Sequence, residues 1–139
     1  MEFKTKSGDP ARQRTACVVV GTYERRRLSE AARALDTASG GYLSQLLRRG
    51  DLEGRPRQTL LLPDVPGIRA DRVLLVGCGR ERDLNERTYR QAITETAQVL
   101  ENAGAGEATL FLPELPVRGR NLAWRVAAAA ETLETTLYR

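Results

Sequence analysis

The stretch "DRVLLVGCGRERDLNER", residues 71–87, decides the fold of this chain. Its branched apolar run is typical of a strand covered on both faces, and that run ends in Gly77-Cys78-Gly79. Helix-start residues follow, because Asp83 forms a capping-box pattern with Glu86 and Asn85 is a competing cap. The stretch therefore predicts a central strand that turns sharply into a long helix.

The same turn has a second interpretation, a phosphate-binding loop. A dinucleotide-binding fingerprint needs three glycines; Gly77 and Gly79 supply two, but Arg82 occupies the place of the third. No Lys-Ser or Lys-Thr pair follows, which argues against a P-loop. We favour two structural glycines. A ligand site stays open as an alternative, since α/β sheets bind ligands at the carboxyl ends of their strands.

Segments with strand and helix patterns alternate along the rest of the chain. Strand patterns cover residues 1–6 (an edge strand), 15–21 (ended by Gly21), 58–62, 72–77 and 107–116. Helix patterns cover residues 28–35 with Ser29 as a possible cap, 42–47, 86–103, and 122 to the final residue, Arg139. The alternation predicts an α/β domain with a mixed central sheet flanked by helices.

The last helix lacks a cap or stop signal, which suggests a chain cut at a domain boundary. We expect part of its apolar stripe, which includes Leu133, Leu137 and Tyr138, to be uncovered.

Composition narrows the possible functions. The chain has 139 residues, enough for one domain, and its apolar runs are too short for a membrane span or signal peptide, which indicates a cytosolic protein. It contains no His, which excludes Ser-His-Asp catalysis and His-based metal sites. Cys17 and Cys78 lie in or beside apolar runs, as buried reduced thiols do. Carboxylate pairs lie in charged settings, so we predict no catalytic, cofactor-binding or metal-ligating residue.

The net charge of +4 arises from 22 basic and 18 acidic residues, and 20 of the basic residues are Arg. Acidic residues are interspersed with the arginines, which favours a solvated mixed surface over a nucleic-acid stripe. Two clusters remain as candidate nucleic-acid-binding residues: Arg25, Arg26 and Arg27, and Arg48 and Arg49. We expect them to bind DNA weakly at most.

Several segments together resemble a known family. "GGYLSQLLRRGDLEG" (residues 40–54), "QTLLL" (58–62), "RVLLVGCGRERDLNER" (72–87) and "GRNLAWRV" (119–126) follow in family-like order and spacing. The chain resembles the N-terminal domain of bacterial leucyl aminopeptidase, the cytosolic dizinc peptidase family. The resemblance implies a three-layer macro-like fold that performs no chemistry.

The resemblance also implies where the chemistry lies. In that family Asp, Glu and Lys residues of the C-terminal domain, some from an Asn-Thr-Asp-Ala-Glu-Gly-Arg motif, hold two divalent metals, zinc or manganese. Nothing matching that motif occurs here. Residues 1–139 would then form a single N-terminal non-catalytic domain, cut near the linker helix to an absent C-terminal peptidase domain. Its implied partners are that domain and neighbouring subunits of a homo-hexamer.

A binding module is the alternative. It would bind DNA through the Arg clusters, as some bacterial family members bind DNA, or an ADP-ribose-like ligand through the macro-like fold. Only the Gly-Cys-Gly turn supports the ligand version, and the Asn-rich loop of ADP-ribose-binding macrodomains is missing.

Overall fold

A computed structural model describes residues 1–138, which form a mixed β-sheet between two helical layers. The strands are β1 (Glu2–Thr5), β2 (Cys17–Tyr23), β3 (Arg27–Leu28), β4 (Thr59–Pro63), β5 (Arg72–Gly77) and β6 (Glu107–Leu110). Their order is β1-β6-β2-β5-β4, and β3 pairs with β2 outside this path. The first four of that order run parallel, whereas β4 and β3 are antiparallel to their neighbours. The predicted α/β fold class, a mixed central sheet flanked by helices, is confirmed.

Four α-helices cover the sheet: α1 (Glu30–Ala38), α2 (Tyr42–Arg48), α3 (Glu86–Asn102) and α4 (Leu122–Leu137). Three of them begin at a side-chain cap, because Ser29, Asn85 and Asn121 each accept a hydrogen bond from a backbone N–H in the first turn. Of the two caps considered for α3, the structure uses Asn85; Asp83 ends a short 3-10 turn, Glu81–Asp83.

The core has two halves because β2 is buried on both faces. Cys17 and Val19 face the half under α3 and α4, whereas Val18 and Val20 face the half under α1 and α2. A strand buried on both faces needs apolar residues at successive positions, which accounts for the continuous apolar pattern of β2. Within residues 1–138, no helix has the length and apolar character that crossing a membrane demands.

Several element boundaries differ from the prediction. β2 continues through Gly21 to Tyr23. A Cβ at Gly21 would lie 3.1 Å from a methyl carbon of Leu115, so close packing and not a turn requires the glycine. Leu28 belongs to β3 instead of the helix, and β6 ends at Leu110. α4 ends at Leu137, and the expectation that the helix continues to Arg139 lies outside the described residues.

Candidate functional site

The Gly-Cys-Gly turn lies at the carboxyl edge of the sheet, where β5 ends, and its backbone donors are already used. The N–H groups of Gly77, Cys78 and Gly79 each donate a 2.8 Å hydrogen bond, to the carbonyls of Gln58, Thr22 and Gly54 respectively. A phosphate-binding turn needs free N–H groups directed at the ligand. Here those groups hold the neighbouring strand and loop.

The loop between α2 and β4 fills the space that a ligand would need. A Cβ at Gly77 would lie 2.1 Å from the carbonyl oxygen of Arg55, and one at Gly79 would lie 3.2 Å from the ring of Pro56. The glycines therefore permit close backbone approach, but the approaching backbone belongs to the protein itself. The geometry supports the structural interpretation of Gly77 and Gly79.

A charged notch of about 420 Å³ opens beside this turn. It lies between the β2–β3 turn and the Glu81–Asp83 turn. Its lining consists of Glu24, Arg25, Arg27, Arg80, Glu81 and Arg82. Small-molecule sites are mostly apolar with a few placed polar groups, and this lining is charged throughout. The notch is suited to a charged, solvated partner and not to a buried small molecule.

The predicted arginine clusters occupy separate elements. Arg25 and Arg26 form the tip of the β2–β3 turn, and both are exposed. Their φ angles are 62° and 60°, a left-handed backbone conformation that residues other than Gly, Asn and Asp rarely adopt. Sequence reasoning missed this strain, because a run of three arginines contains no turn signal.

Acidic neighbours partly neutralise both clusters. Arg27 lies 3.5 Å from Glu81, and Arg49, the C-cap of α2, lies 3.2 Å from Asp51. Exposed pairs of this kind contribute little stability, but they lower the local positive potential. Arg48 is the last residue of α2 and is exposed. Asp51 thus pairs within the second cluster, whereas nearby Glu53 pairs with Arg55.

Neither cysteine has the character of a nucleophile. Both thiols are free and buried. Burial raises the pKa of Cys17 to about 11 and that of Cys78 to about 12, so both are protonated at neutral pH. Among residues 1–138, His, Cys, Asp and Glu side chains form no group of three or more that could hold a metal ion. The two metals that the family resemblance implies are placed by it in the C-terminal domain, not among these residues.

An apolar groove of about 590 Å³ runs between β1 and α4. Three large apolar side chains that line it are exposed, Met1 at 37%, Val126 at 36% and Tyr138 at 65%, and Leu122 at the start of α4 is exposed at 52%. The prediction that part of the apolar stripe is uncovered agrees with the exposure of Leu122 and Val126 on α4 and of Tyr138 directly after it. Leu133, in contrast, packs into the core with 7% exposure, and Leu137 is half-buried against that core. Exposed apolar side chains clustered around a groove are typical of an interaction surface.

Known proteins are similar to this chain over its whole length. The model of the cytosol aminopeptidase family, N-terminal domain, matches residues 19–139. A probable cytosol aminopeptidase of Halorhodospira halophila is 81% identical over 139 residues, which are 100% of this chain and 28% of that protein. The corresponding protein of Shewanella sediminis is 57% identical and is likewise matched over 28% of its length. The chain thus spans little more than a quarter of these relatives.

Solved structures agree on the fold. The macrodomain of Mycobacterium tuberculosis DarG has a TM-score of 0.73 at 11% identity, covering 96% of this chain and 90% of that one. A leucine aminopeptidase of tomato, in a mutant form, has a TM-score of 0.71 at 18% identity, covering 100% of this chain and 28% of that one. With the family model matched over residues 19–139 and a relative of 81% identity, the chain belongs to the cytosol aminopeptidase family, as its N-terminal domain.

Proposed function

We propose that this chain is the non-catalytic N-terminal domain of a cytoplasmic leucyl aminopeptidase and contributes to subunit packing. The whole enzyme would be a homo-hexamer that removes N-terminal amino acids from peptides, with two divalent metals, zinc or manganese, in its C-terminal domain. α4 would lead toward that absent domain. The observation that carries the proposal is the apolar groove between β1 and α4.

The groove supports an interaction role because it leaves apolar side chains at the surface although the core is closed. Both halves of the core are sealed, and central residues such as Val19, Val20, Leu74 and Leu75 are 0% exposed. Folding alone does not require Met1, Val126 and Tyr138 to be left at the surface beside one another. A partner that covers them would remove apolar area from water at about 25 cal/mol per Å². The surface is therefore suited to protein contact.

The chemistry of the described residues also supports a non-catalytic role. The carboxylates do not fit a metal centre, and the two thiols stay protonated in the core. We expect the isolated chain to hydrolyse no leucine-amide substrate with zinc or manganese added, as measured by product release. Metal analysis should find less than one ion per chain. Metal-dependent hydrolysis that purifies with the chain and survives contaminant controls would contradict the proposal.

The packing role needs a test on a whole enzyme. The N-terminal domain would be removed from the Halorhodospira halophila relative, and the size of the assembly compared with that of the intact protein by sedimentation. We expect a smaller assembly without the domain. An assembly of unchanged size would overturn the packing role.

A binding module remains the second candidate, and one observation favours its DNA version. The strained tip carries two exposed arginines, Arg25 and Arg26, and Arg25 lines the charged notch together with Arg80 and Arg82. Backbone strain of this kind is often found at functional sites. The version with an ADP-ribose-like ligand has no comparable support, because the turn's N–H groups are already hydrogen-bonded.

A further inference from the structure

β1 is an edge strand with one open side. It ends the strand order within residues 1–138, and its partner is β6. The N–H of Glu2 donates to the carbonyl of Gly106 at 3.0 Å, so Glu2 directs its backbone groups toward β6. Because these groups alternate along a strand, the N–H and C=O of Phe3 point to the open side. An open edge of this kind is a template for pairing with another strand.

The side chains of β1 divide between two faces. Phe3 packs against the core half that α4 covers, beside the apolar groove. Glu2 and Lys4 share the opposite face, where their charged groups lie 4.0 Å apart and are exposed to solvent. The strand thus carries one acid and one base symmetrically about Phe3.

We propose that β1 pairs antiparallel with β1 of a second copy of this chain, about a two-fold axis at Phe3. The two Phe3 residues would exchange N–H···O=C bonds through their open sides. Glu2 of each copy would then lie opposite Lys4 of the other, at the non-hydrogen-bonded positions where side chains approach most closely. The pairing rests on the subunit-packing role proposed above and names its partner surface.

The charges select one register. Sliding the pair by two residues in one direction places Glu2 opposite Glu2, and sliding it in the other places Lys4 opposite Lys4. Like charges directly opposite one another destabilise a strand pair. Slides by one residue turn the apolar face of one copy away from that of the other. The Phe3-centred register is free of both penalties.

The pairing also accounts for the groove. It joins the two sheets edge to edge and keeps both α4 helices on the same face, flanking the joint. The exposed side chains that border the groove, Met1, Val126 and Tyr138, then face the corresponding surface of the second copy. Isologous contact of this kind is the commonest arrangement in symmetric oligomers.

Charge reversal tests the pairing. Sedimentation of the 139-residue chain over a range of concentrations should show a reversible dimer. Glu2→Lys and Lys4→Glu should each raise the dimer dissociation constant about tenfold, because each creates two like-charge pairs. An equimolar mixture of the two variants should regain wild-type association, because both pairs become opposite in sign. Lys6→Glu makes the same charge change beyond β1 and should leave association unchanged.

A second variant tests the backbone bonds. Thr5→Pro removes an N–H that points to the open side, so it should abolish the dimer, while circular dichroism shows the fold retained. A wild-type chain that stays monomeric, or a dimer indifferent to both charge reversals, would overturn the pairing. If removal of the domain shrinks the whole enzyme but the reversals have no effect, the strand pairing alone fails. If removal changes nothing, the packing role fails.

Discussion

Because Gly77 has no side chain, two backbone segments can meet at this position on the carboxyl edge of the sheet. The residue pairs with Thr22 in the sheet and lies against the carbonyl of Arg55 on its other side. Two backbone segments therefore meet at a position with room for hydrogen atoms only. The sequence predicted the glycine's structural role, but it did not reveal that the loop at Arg55 requires it, because that loop follows α2 in the chain.

Gly77→Ala should lower the free energy of unfolding by about 3 kcal/mol, because the new Cβ would overlap backbone atoms that cannot move aside cheaply. Urea denaturation followed by circular dichroism measures the change. Gly106→Ala is the matched control, since a Cβ there meets nothing within 4 Å, and it should be neutral or slightly stabilising. Equal effects of the two substitutions would contradict the steric account.

The two buried thiols predict a loss of stability at alkaline pH. Burial raises their pKa from 9.0 to about 11 for Cys17 and about 12 for Cys78, so the native state keeps protons that the unfolded chain releases. Their contribution is complete below pH 9 and falls as the pH rises toward 11 and 12, by up to about 1.4 kcal/mol per pH unit for each thiol.

Urea midpoints measured from about pH 8 to about pH 11 should show this decline. A variant with Cys17→Ala and Cys78→Ala should decline less steeply over the same range. Rapid reaction of the native wild-type chain with a thiol reagent at neutral pH would contradict the burial of these groups.

Secondary-structure elements with a strong periodicity of apolar residues were predictable from the sequence, whereas the short elements were not. β2, β5, α3 and α4 follow from apolar runs or from three- and four-residue steps, and Ser29 and Asn85 were among the predicted caps, for α1 and α3. β3 has two residues and pairs with β2 through a strained turn, so no periodicity marks it. The arginines of the candidate site were identified as clusters in the sequence, whereas the pairing of Arg27 with Glu81 depends on a turn distant in sequence.

α4 packs against α3 through the ring of Trp124. The ring of Trp124 lies 5.4 Å from the guanidinium carbon of Arg90 and 5.0 Å from that of Arg120, and its centroid is 6.0 Å from that of Tyr89. Trp124→Ala should lower the free energy of unfolding by about 2 kcal/mol, since it removes both cation–π contacts and apolar packing.

Trp124→Phe is the control for this prediction, because it keeps an aromatic face and should cost less than the Ala variant. Circular dichroism during urea denaturation measures both, since the substitutions remove the only tryptophan. A Phe variant as unstable as the Ala variant would show that ring stacking with the arginines does not matter.

For the molecule as a whole, charge distribution predicts weak, non-specific DNA binding. When affinity depends on phosphate contacts, the logarithm of the binding constant falls with the logarithm of the salt concentration, with a slope of about −0.9 per contact. One domain offers few such contacts. We expect the isolated chain to bind a labelled DNA duplex only at low salt concentration. Changing Arg25, Arg26 and Arg27 to Ala should weaken that binding in a fluorescence salt titration.

The control variant changes three exposed arginines that precede β2 and β5, Arg12, Arg14 and Arg69, to Ala. Its total charge change equals that of the first variant. This variant should keep more of the binding than the first. Submicromolar binding that persists at physiological salt would contradict the expectation and favour the binding-module function.

Tyr138 and Met1 meet at one place on the surface, where the hydroxyl of Tyr138 donates to the carbonyl of Met1 at 3.3 Å. The first strand thus starts where the last helix stops, and an addition after that helix leaves the layers of the fold undisturbed. A segment fused after this helix would therefore emerge beside the amino end of β1.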